Sequence, residues 1–179
     1  MTRLQGERIF LRPHEMRDKQ ALLEGANEPE GARLTGTHAT FMLPQIEGYI
    51  ARNSSDERRA GWVICLPDDT AGQETVVGEV VINEIDTDNR SANIRIALFN
   101  ARYFGQGYGS EALRLAIDYG FKTLKLHRIS LGVYDFNPRA IHVYEKLGFK
   151  REGVFRDSLF WEGAFHDEHR MAILESEWE

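Results

Sequence analysis

The feature of this sequence that most constrains its fold is a glycine-rich stretch between an alternating apolar run and an amphipathic segment. The stretch Arg102-Tyr-Phe-Gly-Gln-Gly-Tyr-Gly109 carries glycine at three alternate positions. Glycine lets backbone N–H groups approach an anion closely, and the N-terminus of a following helix adds a partial positive charge. The pattern predicts a phosphate-binding loop, although an ordinary tight turn before a helix has the same appearance.

The segments on either side of the glycines predict a crossover. Apolar and polar side chains alternate over residues 91–99, which is typical of a half-buried strand. Apolar residues then recur at helical spacing over residues 110–121, and a second strand is predicted over residues 127–134. A strand, a helix and a strand in succession favour two parallel neighbours in one sheet.

The remaining patterns complete the predicted fold. Further strands are predicted at residues 8–12, 61–66, 75–85, 151–161 and 164–174, and further helices at 15–25, 44–50 and 138–147. Residues 67–72, 86–89 and 162–163 are predicted turns, and residues 27–41 a loop. Residues 1–179 therefore predict one α/β (α+β) domain, with a mixed, mostly antiparallel sheet of about seven strands and about four helices.

Composition narrows the class of protein. A chain of 179 residues with 42% hydrophobic content can bury one sizeable core. Its net charge of −6 argues against nucleic acid as the main partner and is compatible with a cationic substrate. No apolar run is long enough to span a membrane, and the N-terminal residues lack the apolar region of a signal peptide, so we expect a soluble, cytoplasmic protein.

Cysteine and histidine give little support for a metal or thiol site. Cys65 is the only cysteine, and its apolar neighbours predict a buried thiol rather than a nucleophile. His166 and His169 invite a metal reading, but residues three apart on a strand point to opposite faces. We therefore expect no metal cofactor.

A second informative stretch runs from Asn137 to Phe149. Asn137 is a good helix N-cap, Pro138 suits the first helical turn, and Gly148 suits the position just beyond the end. Tyr144 follows Asn137 by two helical turns, so the two residues share a face. Tyr144 can serve either as a core residue or as a polar group beside a ligand.

Together the two stretches resemble the GNAT acetyltransferase superfamily, in the branch of ribosomal-protein N-terminal and polyamine acetyltransferases. The family motif R/Q-x-x-G-x-G/A stands here as Arg102-Tyr-Phe-Gly105-Gln-Gly107. The downstream pattern N-x-x-A-x-x-x-Y-x-K-x-G-F stands as Asn137, Ala140, Tyr144, Lys146, Gly148 and Phe149. The resemblance extends, more weakly, over nearly the whole chain.

The resemblance implies a sheet splayed around acetyl-CoA, with the coenzyme pyrophosphate on the glycine-rich loop. Tyr144 then resembles the acid that protonates the departing thiolate, and backbone N–H groups near residues 96–99 could polarise the thioester carbonyl. The implied coenzyme-binding residues are Leu98, Phe99, Arg102, Phe104, Gly105, Gln106, Gly107, Tyr108, Gly109, Ser110, Asn137 and Arg139.

The general base is less clear. Many relatives carry a glutamate on the strand before the glycine-rich loop, where this sequence has Asn93. Asparagine cannot accept the proton of an ammonium group. Glu84 and Glu79, on the preceding strand, are the predicted substitutes, acting directly or through water. The alternatives are that both are exposed strand charges, or that no base is needed because the substrate arrives partly neutral.

The acceptor is expected to bind between residues 27–49 and the final hairpin, where Glu28, His38, Trp161 and Phe165 could line a site. A protein N-terminal α-amine is the first choice, and a polyamine or other small amine is the alternative. Fold-level analogy does not choose between them. The resemblance also makes a homodimer plausible.

Two other functions compete. A dinucleotide-binding oxidoreductase fits poorly, because the third glycine comes one place early for G-x-G-x-x-G and no acidic residue ends a strand about 20 residues later. A non-catalytic acyl-CoA-binding module is conceivable without the strand glutamate, although Tyr144 counts against it.

Overall fold

The computed structural model describes residues 2–67 and 74–178 of the chain. Their centre is one open sheet with eight strands. The strands are β1 (Leu4–Gln5), β2 (Phe10–Pro13), β3 (Ala60–Pro67), β4 (Glu74–Asp86), β5 (Ser91–Leu98), β6 (Arg128–Tyr134), β7 (Lys150–Trp161) and β8 (Ala164–Leu174). They lie in the order β1-β2-β3-β4-β5-β6-β8-β7, and each of these pairs is antiparallel except the parallel pair β5 and β6.

Helices cover both faces of the sheet. The α-helices are α1 (Lys19–Ala26), α2 (Pro29–Thr35), α3 (Leu43–Ser55), α4 (Tyr108–Lys122) and α5 (Pro138–Lys146), and short 3-10 turns occupy Met16–Asp18, Ala101–Tyr103 and Glu175–Glu177. Helices α4 and α5 pack on one face with the main core, whereas α1 and α3 form a smaller cluster on the other. The predicted mixed, mostly antiparallel α/β fold is confirmed.

The predicted counts of strands and helices were each one too low. The additional strand is the two-residue β1. The additional helix is α2, which lies inside the segment predicted to be a loop. It forms because Glu28 caps its first turn, accepting a hydrogen bond from the Gly31 backbone N–H at 2.6 Å, and because Gly36 ends it in the left-handed conformation.

Two of the three predicted turns are confirmed. Asp86 accepts a hydrogen bond from the Asn89 backbone N–H at 2.9 Å, so residues 86–89 join β4 to β5. Glu162 and Gly163 both have positive φ, 49° and 85°, which is the backbone of a type I′ hairpin turn between β7 and β8. Residues 68–72 of the third predicted turn lie outside the described part of the chain.

The main core lies between α4 and the sheet. The predicted apolar stripe of α4 is buried, and it consists of Ala112, Leu113, Ala116, Ile117 and Phe121. Side chains of β5 and β6 alternate across the sheet, so Ile94 and Ile129 join this core. The opposite face, which carries Asn93, Ala97 and Ser130 and faces α1 and α3, is called the α3 face below.

The parallel strands β5 and β6 pair only at their beginnings. Their register covers Ser91–Asn93 against Arg128–Ser130, whereas β5 continues to Leu98 and β6 to Tyr134. The strands therefore diverge towards their C-terminal ends and leave a wedge-shaped gap. The gap opens where the glycine-rich stretch leaves β5, and carboxyl ends of neighbouring parallel strands are a common place for ligands.

Candidate active site

The glycine-rich stretch forms an open loop at the mouth of the gap. Gly105 and Gly107 both adopt positive φ, 73° and 86°, which explains the need for glycine at these two positions. Gly107 is the N-cap of α4, so the amide groups of the first turn of α4 lack intrahelical partners and carry the positive end of the helix dipole. A Cβ atom added to Gly105 would meet no heavy atom within 4 Å, so the loop has open space beside it. The residues present thus fit an anionic phosphate group.

Arginine side chains surround this loop. The Arg8 guanidinium donates to the Gln106 carbonyl oxygen at 2.7 Å and forms an ion pair with Glu111. Arg102 is exposed at the beginning of the loop. Arg139, on α5, lies over the Phe104 ring with its guanidinium carbon 4.5 Å from the ring centroid. The structure therefore brings the two sequence motifs together, and it adds Arg8, which sequence reasoning missed.

Helix α5 begins as predicted. Asn137 Oδ1 accepts a hydrogen bond from the Ala140 backbone N–H at 3.2 Å, and Pro138 lies in the first turn. Gly148 has φ of 97° just beyond the end of the helix. Asn137 is therefore a structural cap, and only its Nδ2 donor is left for a coenzyme contact.

Substitutions at Asn137 separate these two roles. Asn137→Ala is expected to lower the free energy of unfolding by about 1 kcal/mol through loss of the cap. Asn137→Asp retains a capping oxygen and should keep the stability, but it lacks the amide donor. Chemical denaturation measures the first effect, and calorimetric titration with acetyl-CoA the second. If both variants bind acetyl-CoA like the wild type, Asn137 is a cap alone.

Tyr144 lies half-buried on α5 at the edge of the main core. Its ring packs edge-on against Phe149, with 5.8 Å between centroids. No group among the described residues hydrogen-bonds its hydroxyl, which is not sealed from solvent. Burial raises the pKa of Tyr144 from 10.0 to about 12. The phenol therefore remains protonated at neutral pH and can act as a proton donor.

The edge of β5 provides backbone donors to the gap. The Phe99 backbone N–H donates to the Val77 carbonyl on β4 at 2.9 Å. Backbone groups of successive strand residues point to opposite edges, so those of Ile96 and Leu98 point away from β4 and into the gap. An oxyanion that forms there would meet preorganised N–H groups.

Glu84, the predicted general base, lies elsewhere. It is exposed, with φ of 55°, at a bulge between Asn83 and Asp86. That bulge is next to Ser91, at the opposite end of the β4–β5 ladder from Leu98. The structure therefore does not bring Glu84 to the mouth of the gap, because the register of the ladder carries it away from the glycine-rich loop.

Glu79, the alternative, lies closer to the site. It pairs with Ala97 in the β4–β5 ladder, one residue from Leu98. Its Oε2 accepts a hydrogen bond from the Tyr49 hydroxyl at 2.9 Å and lies 3.0 Å from His14 Nε2. Burial, followed by the Glu79 charge, raises the pKa of Tyr49 to about 12. Glu79 is thus held in place on the α3 face.

The predicted acceptor-binding residues divide into two groups. His38 and Trp161 are brought together, their rings stacked with 4.7 Å between centroids. Glu28 is engaged as the cap of α2, and Phe165 is 63% exposed near the end of the hairpin. The contact between His38 and Trp161 joins the loop after α2 to the β7–β8 hairpin.

The histidine and cysteine that could suggest a metal site or a reactive thiol have structural surroundings that favour neither. His166 Nδ1 lies 3.2 Å from Asp135 Oδ1, and no cluster of three or more His, Cys, Asp or Glu side chains within residues 2–67 and 74–178 could hold a metal ion. Cys65 is fully buried, and burial raises the pKa of its thiol to about 12. None of the helices in the described ranges is long and apolar enough to cross a membrane.

An open mixed sheet that splays beside a glycine-rich loop, with a tyrosine-bearing helix next to it, is the arrangement that the resemblance implies for an acyltransferase that uses a coenzyme A thioester. Comparison with known proteins makes the family specific. The family model described as the acetyltransferase (GNAT) domain matches residues 8–150. The chain belongs to the GNAT acetyltransferases, and acetyl-CoA is its cosubstrate.

Similar proteins include spermidine acetyltransferases. The chain is 37% identical to spermidine N(1)-acetyltransferase of Vibrio cholerae over 106 residues, a match that covers 59% of this chain and only 61% of the relative. It is 28% identical to the uncharacterized N-acetyltransferase YnaD of Bacillus subtilis over 173 residues, 96% of each chain. The crystal structure of the Vibrio cholerae spermidine N-acetyltransferase in complex with CoA and spermine superimposes with a TM-score of 0.86 at 28% identity, covering 96% of this chain and 98% of that one.

Proposed function

We propose that residues 1–179 act as one N-acetyltransferase domain that moves the acetyl group of acetyl-CoA to a primary amine of a polyamine by direct attack. One observation supports the proposed acetyl transfer. The gap between β5 and β6 opens beside the glycine-rich loop, and α5, which carries Tyr144, begins beside that loop with Arg139 over Phe104.

Each residue has a defined part in the proposed chemistry. Acetyl-CoA supplies the activated acetyl group as a thioester. The loop amides between Phe104 and Ser110, with Arg102 and Arg139, bind the anionic phosphates. The Leu98 backbone N–H stabilises negative charge on the carbonyl oxygen. The acceptor attacks as a neutral amine, after its ammonium group has given one proton to water. As the C–N bond forms and the C–S bond breaks, Tyr144 gives its proton to the thiolate and the nitrogen releases a second proton to water. The Tyr144 phenolate then regains a proton from water.

A polyamine acceptor is favoured over the protein N-terminal α-amine that was the first choice from the sequence. Support comes from relatives named for spermidine acetylation. Electrostatics agrees, because the chain carries a net charge of −6 and carboxylates of Glu79 and Glu168 lie on the α3 face, on either side of the gap.

The decisive experiment is an amine panel with the full chain and acetyl-CoA. Thiol release is followed with spermidine, spermine, monoamines and short peptides with free N-termini. We expect spermidine and spermine to have the highest kcat/KM. Thiol release that never exceeds the amine-free rate would refute the proposed activity and favour a module that only binds acyl-CoA.

A protein N-terminal amine is the second candidate for the acceptor, because of the indole N–H group of Trp161. Trp161 Nε1 is the one buried side-chain nitrogen or oxygen in the described ranges that has no hydrogen-bond partner. An indole N–H group can only donate a hydrogen bond. The ammonium groups of a polyamine are also only donors, so they cannot pair with it. A peptide carbonyl could accept its hydrogen bond. A higher kcat/KM for the peptides than for spermidine would support this candidate.

We also propose that the chain forms a homo-oligomer; the family resemblance made a homodimer plausible. Phe155, Phe160 and Phe165 are each more than half exposed on the β7–β8 hairpin. Exposed apolar side chains in one region are typical of contact surfaces. The Vibrio cholerae spermidine N-acetyltransferase is described as dodecameric. Light scattering coupled to size-exclusion chromatography tests this proposal.

A further inference from the structure

Glu168 has a side chain that reaches towards the gap from the α3 face. On β6, Ile129 and Leu131 point into the main core, so Gly132 presents the α3 face. Gly132 pairs with Arg170 on β8, and Tyr134 pairs with Glu168. Glu168 therefore points to the α3 face as well, one strand away from the gap.

The missing side chain of Gly132 makes room for this carboxylate. A Cβ atom added to Gly132 would lie 1.7 Å from Glu168 Oε1. The carboxylate oxygen thus occupies the space directly over the backbone of β6. Gly132 follows Ser130, the last residue of β6 that pairs with β5, by two positions. The negative charge is consequently placed where the two strands begin to separate.

Only one of the two carboxylate oxygens of Glu168 has a hydrogen-bond partner among the described residues. Arg170 Nη1 donates to Glu168 Oε1 at 2.9 Å, and the Arg170 guanidinium lies over the Phe155 ring, 5.2 Å from its centroid. Oε2 accepts no hydrogen bond from the residues that the structure describes, and it is not sealed from solvent. Burial, and after it the Glu168 charge, raises the pKa of Tyr134, in accord with a carboxylate beside that ring.

On the other side of the gap, β5 carries no carboxylate. The side chain at the same level on this face is the neutral amide of Asn93, whose Nδ2 donates to Asn83 Oδ1 at 2.9 Å. Arg95 carries a positive charge on the same face. Glu79 lies beyond β5, with Oε2 already shared by Tyr49 and His14. Glu168 is therefore the carboxylate with an open oxygen that is best placed to meet a cationic acceptor.

We infer that Glu168 binds the ammonium group of the acceptor at the gap, with Gly132 and Arg170 as its positioning residues. This inference rests on the proposed function, because it specifies how the acceptor of that reaction is recognised. The acceptor would be a primary ammonium, and the contact a charge-assisted hydrogen bond to Oε2.

The test compares Glu168→Gln with a matched control. Glutamine keeps the size of the side chain and removes its charge. We expect the KM for spermidine to rise about tenfold, the typical value of one hydrogen bond to a charged group, while the KM for acetyl-CoA is unchanged. Glu152→Gln is the control, since Glu152 also pairs with an arginine, Arg128, at the opposite end of β6. It should leave both KM values as in the wild type.

Gly132→Ala supplies an independent variant. Its methyl group would take the space of Glu168 Oε1 and displace the carboxylate, so the KM for spermidine should rise here too. In the double variant Gly132→Ala/Glu168→Gln, the two effects should not add, because both act on one contact. Additive effects would show that Gly132 acts separately and would overturn its positioning role.

A binding measurement separates this inference from the proposed function. Spermidine is titrated calorimetrically into the wild type and each variant saturated with CoA, where no transfer can occur. We expect about tenfold weaker binding for Glu168→Gln and no change for Glu152→Gln. Equal binding by both variants would overturn the inference even if the wild type acetylates spermidine. A wild type that binds spermidine through Glu168 but transfers no acetyl group would instead overturn the proposed function.

Discussion

Replacing Tyr144 with Phe is expected to lower kcat about a hundredfold, the lower range for loss of a general acid. Phenylalanine retains the ring that packs against Phe149, so the fold and the binding of acetyl-CoA should be preserved. What is lost is the hydroxyl that has no other hydrogen-bonding partner among the described residues. Steady-state kinetics with saturating acetyl-CoA and the best amine of the panel measure the effect.

The pH dependence gives a second readout of the same role. The acid must be protonated to act, and burial raises the pKa of Tyr144 from 10.0 to about 12. Because the pKa moves upward, the active protonated form persists over a wider alkaline range. The wild type should therefore show no alkaline loss of kcat from Tyr144 below about pH 11, about one unit under the pKa.

Tyr119→Phe is the matched control for Tyr144→Phe. Tyr119 is also half-buried, but it packs edge-on against Trp62, 5.0 Å between centroids, away from the gap. Loss of its hydroxyl should leave kcat unchanged. If Tyr144→Phe and Tyr119→Phe both retain the wild-type kcat, water rather than Tyr144 protonates the thiolate.

Local patterns in the sequence predict most of the scaffold that carries this site. The order of β5, α4 and β6 follows from hydrophobic periodicity, and the ends of α5 follow from Asn137 and Gly148. Helix α2 escaped prediction because it is only seven residues long and holds a glycine and a threonine, which are poor helix formers. Its signals were the Glu28 cap, Pro29 in the first turn and Gly36 beyond the end.

Contacts between distant residues could not be read from such patterns. Arg8 supports the glycine-rich loop through Gln106, which is 98 positions away in the chain. Glu168 lies over Gly132 only because β8 pairs with β6, and no local pattern fixes that pairing. The choice between Glu79 and Glu84 likewise depends on the β4–β5 register. Glu84 follows Glu79 by five positions, about 16 Å along the strand, so Glu79 lies near the gap and Glu84 lies away from it.

The second large effect is expected in the glycine-rich loop. Gly105→Ala should weaken the binding of acetyl-CoA about a hundredfold, equivalent to loss of about two hydrogen bonds to a charged phosphate. Two causes combine. The positive φ of 73° disfavours alanine, and the new methyl group would enter the open space beside the loop that the phosphates are proposed to occupy. Calorimetric titration with acetyl-CoA measures the dissociation constant directly.

Gly163→Ala is the matched control that separates the effect of Gly105→Ala on the phosphate site from its effect on backbone strain. Gly163 also has positive φ, 85°, and a Cβ atom added there would likewise meet no atom within 4 Å. It lies in the turn between β7 and β8, so the substitution imposes similar backbone strain without touching the loop. Both variants should lose a similar free energy of unfolding, about 1–2 kcal/mol, yet only Gly105→Ala should lose affinity for acetyl-CoA. If Gly105→Ala and Gly163→Ala bind acetyl-CoA with equal affinity, the substitution at Gly105 acts through backbone strain alone. The coenzyme phosphates would then bind elsewhere.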